Sequence, residues 1–260
     1  MAVIAVQPGD HLRAALQTAP QGATLLLLPG EHVAGVPLRQ SVTLRGADSA
    51  GEAAADLRQA VLVPGPEAGP VLWVDADGLE IELLDLRLTD GTGAAGGGLS
   101  LRGFSTVTLE RCEVDGCRAS QGPGDAVWVD AGSLTLRDCR ITGAEGRDRA
   151  VVAAAGVANL YLSGTTIVGH GMEVLRLRDG CEAEISASEL RNGSGRAGIT
   201  VAGTRTRAPV VRVAESRLIG TPSLGLRATY PGKVEVKDTV LASAAEGVYR
   251  PLGGVVVRDA

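Results

Sequence analysis

One phrase recurs along this chain, and it restricts the fold more than any other feature. It reads Leu79-Glu80-Ile81-Glu82-Leu83-Leu84-Asp85-Leu86, then Val107-Thr108-Leu109-Glu110-Arg111-Cys112-Glu113-Val114, then Leu134-Thr135-Leu136-Arg137-Asp138-Cys139-Arg140-Ile141. Looser copies follow at residues 160–167, 183–190, 211–218 and 234–241. The third residue of each copy falls at 81, 109, 136, 162, 185, 213 and 236, so the spacings are 28, 27, 26, 23, 28 and 23. A period of this length written in strand residues means a solenoid, whose units bury their apolar face only by stacking on one another.

Each coil from about residue 60 has two recognisable parts. A Gly-led strand comes first: Val71 to Asp75, Leu99 to Arg102, Val127 to Asp130, Val174 to Arg178, Ile199 to Ala202, Leu224 to Arg227 and Val255 to Arg258. The phrase follows. Inside it the apolar alternation breaks, since Leu136 and Cys139 are three apart rather than two. That offset predicts a sharp bend between two short strands, giving three strands per coil. With about 4.8 Å of rise per coil, the rod comes to roughly 40 Å. The residues beside the bend, Leu84, Cys112, Cys139, Thr165, Ser188, Ser216 and Thr239, are mostly small, which suits an inward stack at a corner. Cys112 and Cys139 then sit on neighbouring coils, either as buried fillers or as a disulfide or metal pair. The reading is one all-β domain over residues 1–260, with an N-terminal cap and first coil in 1–46 and repeated coils in 60–260.

The opening supplies the lid. Residues 3–6 read as a strand, Pro8-Gly9 as a turn, and Asp10 as the cap of a helix to about Thr18 with Leu12, Ala15, Leu16 and Ala19 on one face. Strands follow at Leu25 to Leu28 and Val42 to Leu44. An amphipathic helix covers the apolar end and sheet edges that a solenoid otherwise exposes. At the other end, Val255 to Arg258 reads as a Gly-led strand with nothing after it. Either another copy, domain or protein covers that end, or residues 242–253 fold across it.

Composition narrows the function classes. Aromatic residues are only 2% of the chain, so Val, Leu, Ile and Ala fill the core. The net charge is −5 and no basic block occurs, which argues against a nucleic-acid partner. No run of 18 apolar residues spans a membrane. The first residues lack the pattern of a signal peptide, so a cytoplasmic location is expected unless a leader was removed. The four cysteines and three histidines show no metal-type spacing, so neither a metal nor another cofactor is expected.

The chain resembles the right-handed parallel β-helix, or pectin-lyase-like, superfamily. The likeness is carried by the phrase and by the entry: Val6-Gln7-Pro8-Gly9-Asp10, Gly22-Ala23-Thr24, Leu28-Pro29-Gly30-Glu31-His32 and Ser41-Val42-Thr43-Leu44-Arg45-Gly46. The resemblance covers nearly the whole chain and implies that fold. It does not bring an activity with it. There is no Asp-Asp pair, no Asp-Pro-His-Glu phrase, and only Gln121 among glutamines beyond residue 60, so the hydrolase, epimerase and esterase patterns are missing. The acidic calcium cluster of the lyases is not recognisable either.

Period-two alternation along the Gly-led strands places one outer column at Trp73, Ser100, Trp128, Arg176, Thr200 and Gly225. The adjacent column holds Asp75, Arg102, Asp130, Arg178, Ala202 and Arg227. The Ala-rich coil 150–157 leaves its own register open. Trp-Val-Asp-Ala occurs twice, at 73–76 and 128–131, so both tryptophans fall on one face about 10 Å apart. The resemblance puts sugar clefts along this face. Candidate ligand-binding residues are therefore Trp73, Asp75, Arg102, Trp128, Asp130, Arg176 and Arg178. The plainer alternative is an exposed ladder of Asp75, Arg102 and Asp130 with a long loop over the indoles. Two functional classes follow. The first is a non-catalytic module engaging a glycan or a protein; the second is a lyase, hydrolase or epimerase acting on an acidic glycan.

Overall fold

The computed structural model describes residues 2–50, 59–144, 149–170, 173–192, 197–204, 207–220, 226–229, 232–243, 249–252 and 255–258. Its strands stack in parallel, each pairing with the equivalent strand one coil away. The phrase strands include Glu80–Leu84, Thr106–Glu110 and Glu182–Ser186; the strands after the bend include Arg87–Thr89, Glu113–Asp115 and Arg140–Thr142. The Gly-led strands include Leu72–Val74 and Leu99–Leu101. In two coils the Gly-led and phrase strands run together, as Gly124–Arg137 and Ala150–Ser163. The result is the expected all-β, right-handed parallel β-helix with three strands per coil and one short helix. Its third sheet has nine strands among the described residues, a stack about 40 Å tall.

A single apolar cluster runs up the axis from Val6 to Val236. Val, Leu, Ile and Ala at alternate positions supply nearly all of it, because the pleat sends every second side chain inward. Leu72, Leu99 and Val127 form one inward column, and Leu83, Leu109, Leu136 and Leu162 form another.

The register of the first phrase differs from the sequence expectation. Leu83, not Ile81, pairs with Leu109, and Ile81 pairs with Val107. The spacings are thus 26, 27, 26, 23, 28 and 23, and the corner position belongs to buried Leu86 rather than half-buried Leu84. Leu79, Ile81 and Leu83 alternate smoothly, so a slip of two residues leaves the apolar pattern unchanged.

The bend fixes the true register. One residue per coil adopts positive φ there: Asp85, Arg111, Asp138, Gly164, Ala187, Glu215 and Asp238, at 44–59°. Its N–H reaches the next coil, as in Asp85 N to Glu110 O at 3.1 Å and Arg111 N to Arg137 O at 2.9 Å. The following residue turns inward and carries a second ladder. Thr165 Oγ1 accepts the Cys139 N–H at 3.3 Å, Ser188 Oγ accepts the Thr165 N–H at 3.1 Å, and Ser216 Oγ accepts the Ser188 N–H at 3.1 Å. Small polar residues stand in this buried column because each satisfies a donor that the bend takes out of the sheet.

Two stability predictions arise from this corner. Thr165→Val keeps the shape but removes the acceptor of a fully buried N–H, and is expected to cost about 1–2 kcal/mol, while Thr165→Ser costs less. Ala187 is exposed and held at φ +47°, a region that penalises a Cβ. Ala187→Gly is therefore expected to stabilise by roughly 0.5–1 kcal/mol after the entropy of the unfolded glycine is subtracted. Urea unfolding midpoints check both, and a lower midpoint for the glycine variant contradicts the assignment of strain.

Cys112 and Cys139 stack on adjacent coils as expected, since Glu113 pairs with Arg140. They are free, buried thiols, with the Cys112 thiol pushed well up by burial. Burial also pushes Cys117 up to about 12 and Cys181 to about 11. All four act as small apolar fillers.

At the N-terminal end, strand Val3–Val6 pairs with Ala23–Leu27, and helix α1 (Leu12–Thr18) buries Leu12 and Leu16 in the core. Asp10 does not cap this helix. Its carboxylate accepts the Gln7 N–H at 2.8 Å and closes the Pro8-Gly9 turn, while His11 stands at the cap position without a side-chain bond. At the other end, Val255–Arg258 pairs with Lys233–Lys237 and is a phrase strand, not a Gly-led one. Tyr249–Leu252 is the Gly-led strand and pairs with Leu226–Thr229, so this part of 242–253 continues the stack rather than crossing it. Residues 244–248 and 253 of that proposed cap lie outside the described residues.

Candidate functional site: the outer face of the Gly-led sheet

The register of the Gly-led strands builds one outward column. Pro37 pairs with Trp73, Trp73 with Ser100, and Ser100 with Trp128. Trp128 pairs with Ala153, Ala153 with Arg176, and Arg176 with Thr200. Both tryptophans thus stand two strand spacings apart, about 10 Å, on one face. The Ala-rich coil, left open by the sequence, contributes Ala153. Two corrections follow for the far end. The position opposite Thr200 belongs to Arg227, because Leu226 and not Leu224 pairs with Ile199. Gly225 lies outside the described residues, and Arg227 leaves the neighbouring column.

Both indoles are half-buried. Ser100 between them is only 2% exposed, and its hydroxyl has no partner. Thr200, at 8%, likewise keeps an unpartnered hydroxyl on the same column. A sheathed hydroxyl without a partner is uncommon, since buried polar groups are normally satisfied. Arg176 and Glu173 form an ion pair in which both side chains are largely buried. Arg176 therefore does not offer a free charge, and Glu173 is a carboxylate that the repeat pattern did not single out.

One wall of this face is a ladder of loops. Gly96 N donates to Gly124 O at 2.8 Å and Gly98 N to Ala126 O at 2.9 Å. Gly96 lies so close to Trp128 that a Cβ there would sit 2.9 Å from the tryptophan Cβ, so glycine admits the loop. Buried Asp125 accepts the Ala119 N–H at 3.0 Å, and Arg149 donates to Gly122 O and Ser120 O at 2.5 and 2.9 Å. The loop expected over the indoles thus packs the backbone of Trp128 and leaves both rings half-exposed.

The other rim carries Asp75, Arg102, Asp130 and Arg178, all exposed. The charge ladder considered for Asp75, Arg102 and Asp130 does not form: none of these side chains has an ion pair or hydrogen bond among the described residues. The strand pairing ends at Val74 and Leu101, just before Asp75 and Arg102. Asp130 falls in the register shift between Val129 and Ala131, and Arg178 is the last residue of its strand. Apart from Arg176–Glu173, the ion pairs among the described residues occur on other faces. Asp85 accepts from Arg111 at 2.7 and 3.0 Å, and Arg87 makes a two-pronged contact with Asp115 at 2.9 and 2.6 Å. Four charges of alternating sign, without partners among the described residues, stand beside two indoles and can hold the hydroxyls and carboxylates of a sugar chain. Among the described residues, no group of three or more His, Cys, Asp or Glu is placed to hold a metal ion. No helix there is long and apolar enough to cross a membrane.

Solved structures share this architecture. A pectate lyase, Pel9A, superposes with a TM-score of 0.64 at 12% identity, covering 100% of this chain and 78% of that one. A pectin methylesterase from carrot gives 0.50 at 13% identity, covering 98% and 88%. The Escherichia coli protein YbhC gives 0.51 at 12% identity, covering 92% and 72%. At these identities the likeness establishes the fold. No protein-family model and no curated protein matches the sequence.

Proposed function

We propose that this chain engages an acidic polysaccharide along the outer face of the Gly-led sheet. One observation carries the reading: Trp73 and Trp128 share a column two strands apart, with the unpartnered Ser100 hydroxyl between them. Each indole offers a flat apolar surface to the face of a sugar ring and an N–H to its hydroxyls. Arg102 and Arg178 are free to hold uronate carboxylates, and Asp75 and Asp130 to accept from ring hydroxyls. A protein partner fits this face less well, because its few exposed apolar groups are separated by charge.

A second reading, turnover of the bound glycan, is favoured by the fold likeness to proteins named pectate lyase and pectin methylesterase. The acid–base candidate nearest the column among the described residues is Glu173, three residues before Arg176 on the same strand and paired to it. General acid–base chemistry needs a group within hydrogen-bond reach of the reacting atom. The test is binding to polyuronate and neutral glycans, followed by assays for unsaturated products, reducing ends and released methanol. Binding without any product assigns a binding module. Product formation that Glu173→Gln abolishes assigns an enzyme, and no binding to any glycan overturns both.

A further inference from the structure

The tryptophan column stops at its N-terminal end. Pro37 is its last strand residue, and helix α1 lies beyond it in place of another strand. The helix is fastened to the strand Val36–Leu38 from both sides. Arg13 Nη2 donates to Gly35 O at 3.2 Å, and Gln40 Nε2 donates to Leu16 O and Ala19 O at 2.8 and 3.0 Å. The helix therefore forms a fixed end wall.

Between this wall and Trp73 opens a cleft of about 530 Å³. Its lining includes Arg13 and Gln17 from the helix, Pro37 and Arg39 from the strand and its end, Glu67 and Trp73. Arg39 is exposed and has no ion pair or hydrogen bond among the described residues. The two arginines outweigh the one glutamate, although the chain as a whole carries −5. The Trp73 indole, an end wall and a local positive charge together define a compartment for a single anionic ring. A neutral sugar leaves the Arg39 charge unused, and a longer chain cannot run on through the helix.

We infer that this cleft receives the terminal unit of an acidic oligosaccharide, so that the ligand is held by its end. This rests on the reading of the tryptophan face as a glycan surface. The remaining units then lie over Trp73, Ser100 and Trp128 towards Arg176. The ligand is an oligouronate bound in one direction, its last carboxylate facing Arg13 and Arg39.

The test is titration calorimetry with oligouronates of increasing length, on the native chain, Arg39→Glu, Arg39→Lys and Trp128→Ala. Arg39 is exposed and makes no hydrogen bond or ion pair among the described residues, so unchanged melting temperatures are expected for its variants. The expected result is one protein per glycan chain at every length. Arg39→Glu should weaken binding at least tenfold, or about 1.4 kcal/mol, while Arg39→Lys retains most of it. Neutral oligomers should respond little to either change. End recognition is overturned if the number of proteins per chain grows with length, or if Arg39→Glu leaves affinity unchanged while Trp128→Ala abolishes it. In both cases the tryptophan face survives as the binding surface. No binding of any oligouronate by the native chain sinks the face itself, and the inference with it.

Discussion

The double variant Trp73→Ala/Trp128→Ala is expected to bind acidic oligosaccharides about a thousandfold more weakly than the native chain. Buried aromatic anchors at interfaces typically lose about 2 kcal/mol or more on truncation, so two of them approach 4 kcal/mol. The fold should survive. Both indoles point away from the apolar axis, and neither belongs to the continuous core cluster. Each single variant is expected to lose about thirtyfold. Near-additivity of the two would show that they hold separate sugar units, since sites about 10 Å apart without shared partners couple weakly. Calorimetry with a melting-temperature control reads this directly. Loss of affinity accompanied by loss of structure would remove the support, and unchanged affinity in a folded double variant would refute the site.

Gly132→Ala is expected to destabilise the chain by about 3 kcal/mol, the sum of a left-handed backbone penalty and an overpacking cost. Gly132 has φ +81°, and an added Cβ would lie 2.4 Å from Ser105 O and 2.6 Å from Gly103 O. Both obstacles are backbone of the neighbouring coil, which cannot swing aside as a side chain can. Gly9 provides the control. Its φ is +87°, yet nothing lies within 4 Å of an added Cβ. Gly9→Ala should therefore cost only the conformational part, about 1–2 kcal/mol. The difference between the two urea midpoints isolates the close approach of stacked coils. Equal effects would mean that neighbouring coils can part to admit a methyl group, against the tight stacking described above.

Much of this was legible in the sequence, for a definite reason. A pleated strand repeats every two residues, so apolar alternation reveals strands, and a recurring phrase reveals the coil. The same two-residue periodicity explains the failures. It cannot distinguish registers that differ by two, which displaced the first phrase from Leu83 to Ile81 and the far Gly-led strand from Leu226 to Leu224. The features that fix register are the bend residues, and Asp85, Arg111 and Ala187 share a conformation but no chemistry. Trp73 and Trp128 were placed in one column because both belong to an identical tetrapeptide. The end cleft was not visible, since Arg13, Arg39 and Glu67 come from a helix, a turn and a loop that the repeat does not include. The absent charge ladder has the same origin: alternation gives the side of a strand, not where its pairing ends, as after Val74 and Leu101, or shifts register, as between Val129 and Ala131.

The most direct test of the central claim uses the tryptophans themselves. The chain has two, and both stand on the proposed surface. Their fluorescence should change saturably as an oligouronate is added, with the same midpoint as the heat of binding. Heat of binding without any change in tryptophan emission would place the ligand elsewhere on the rod and contradict the account.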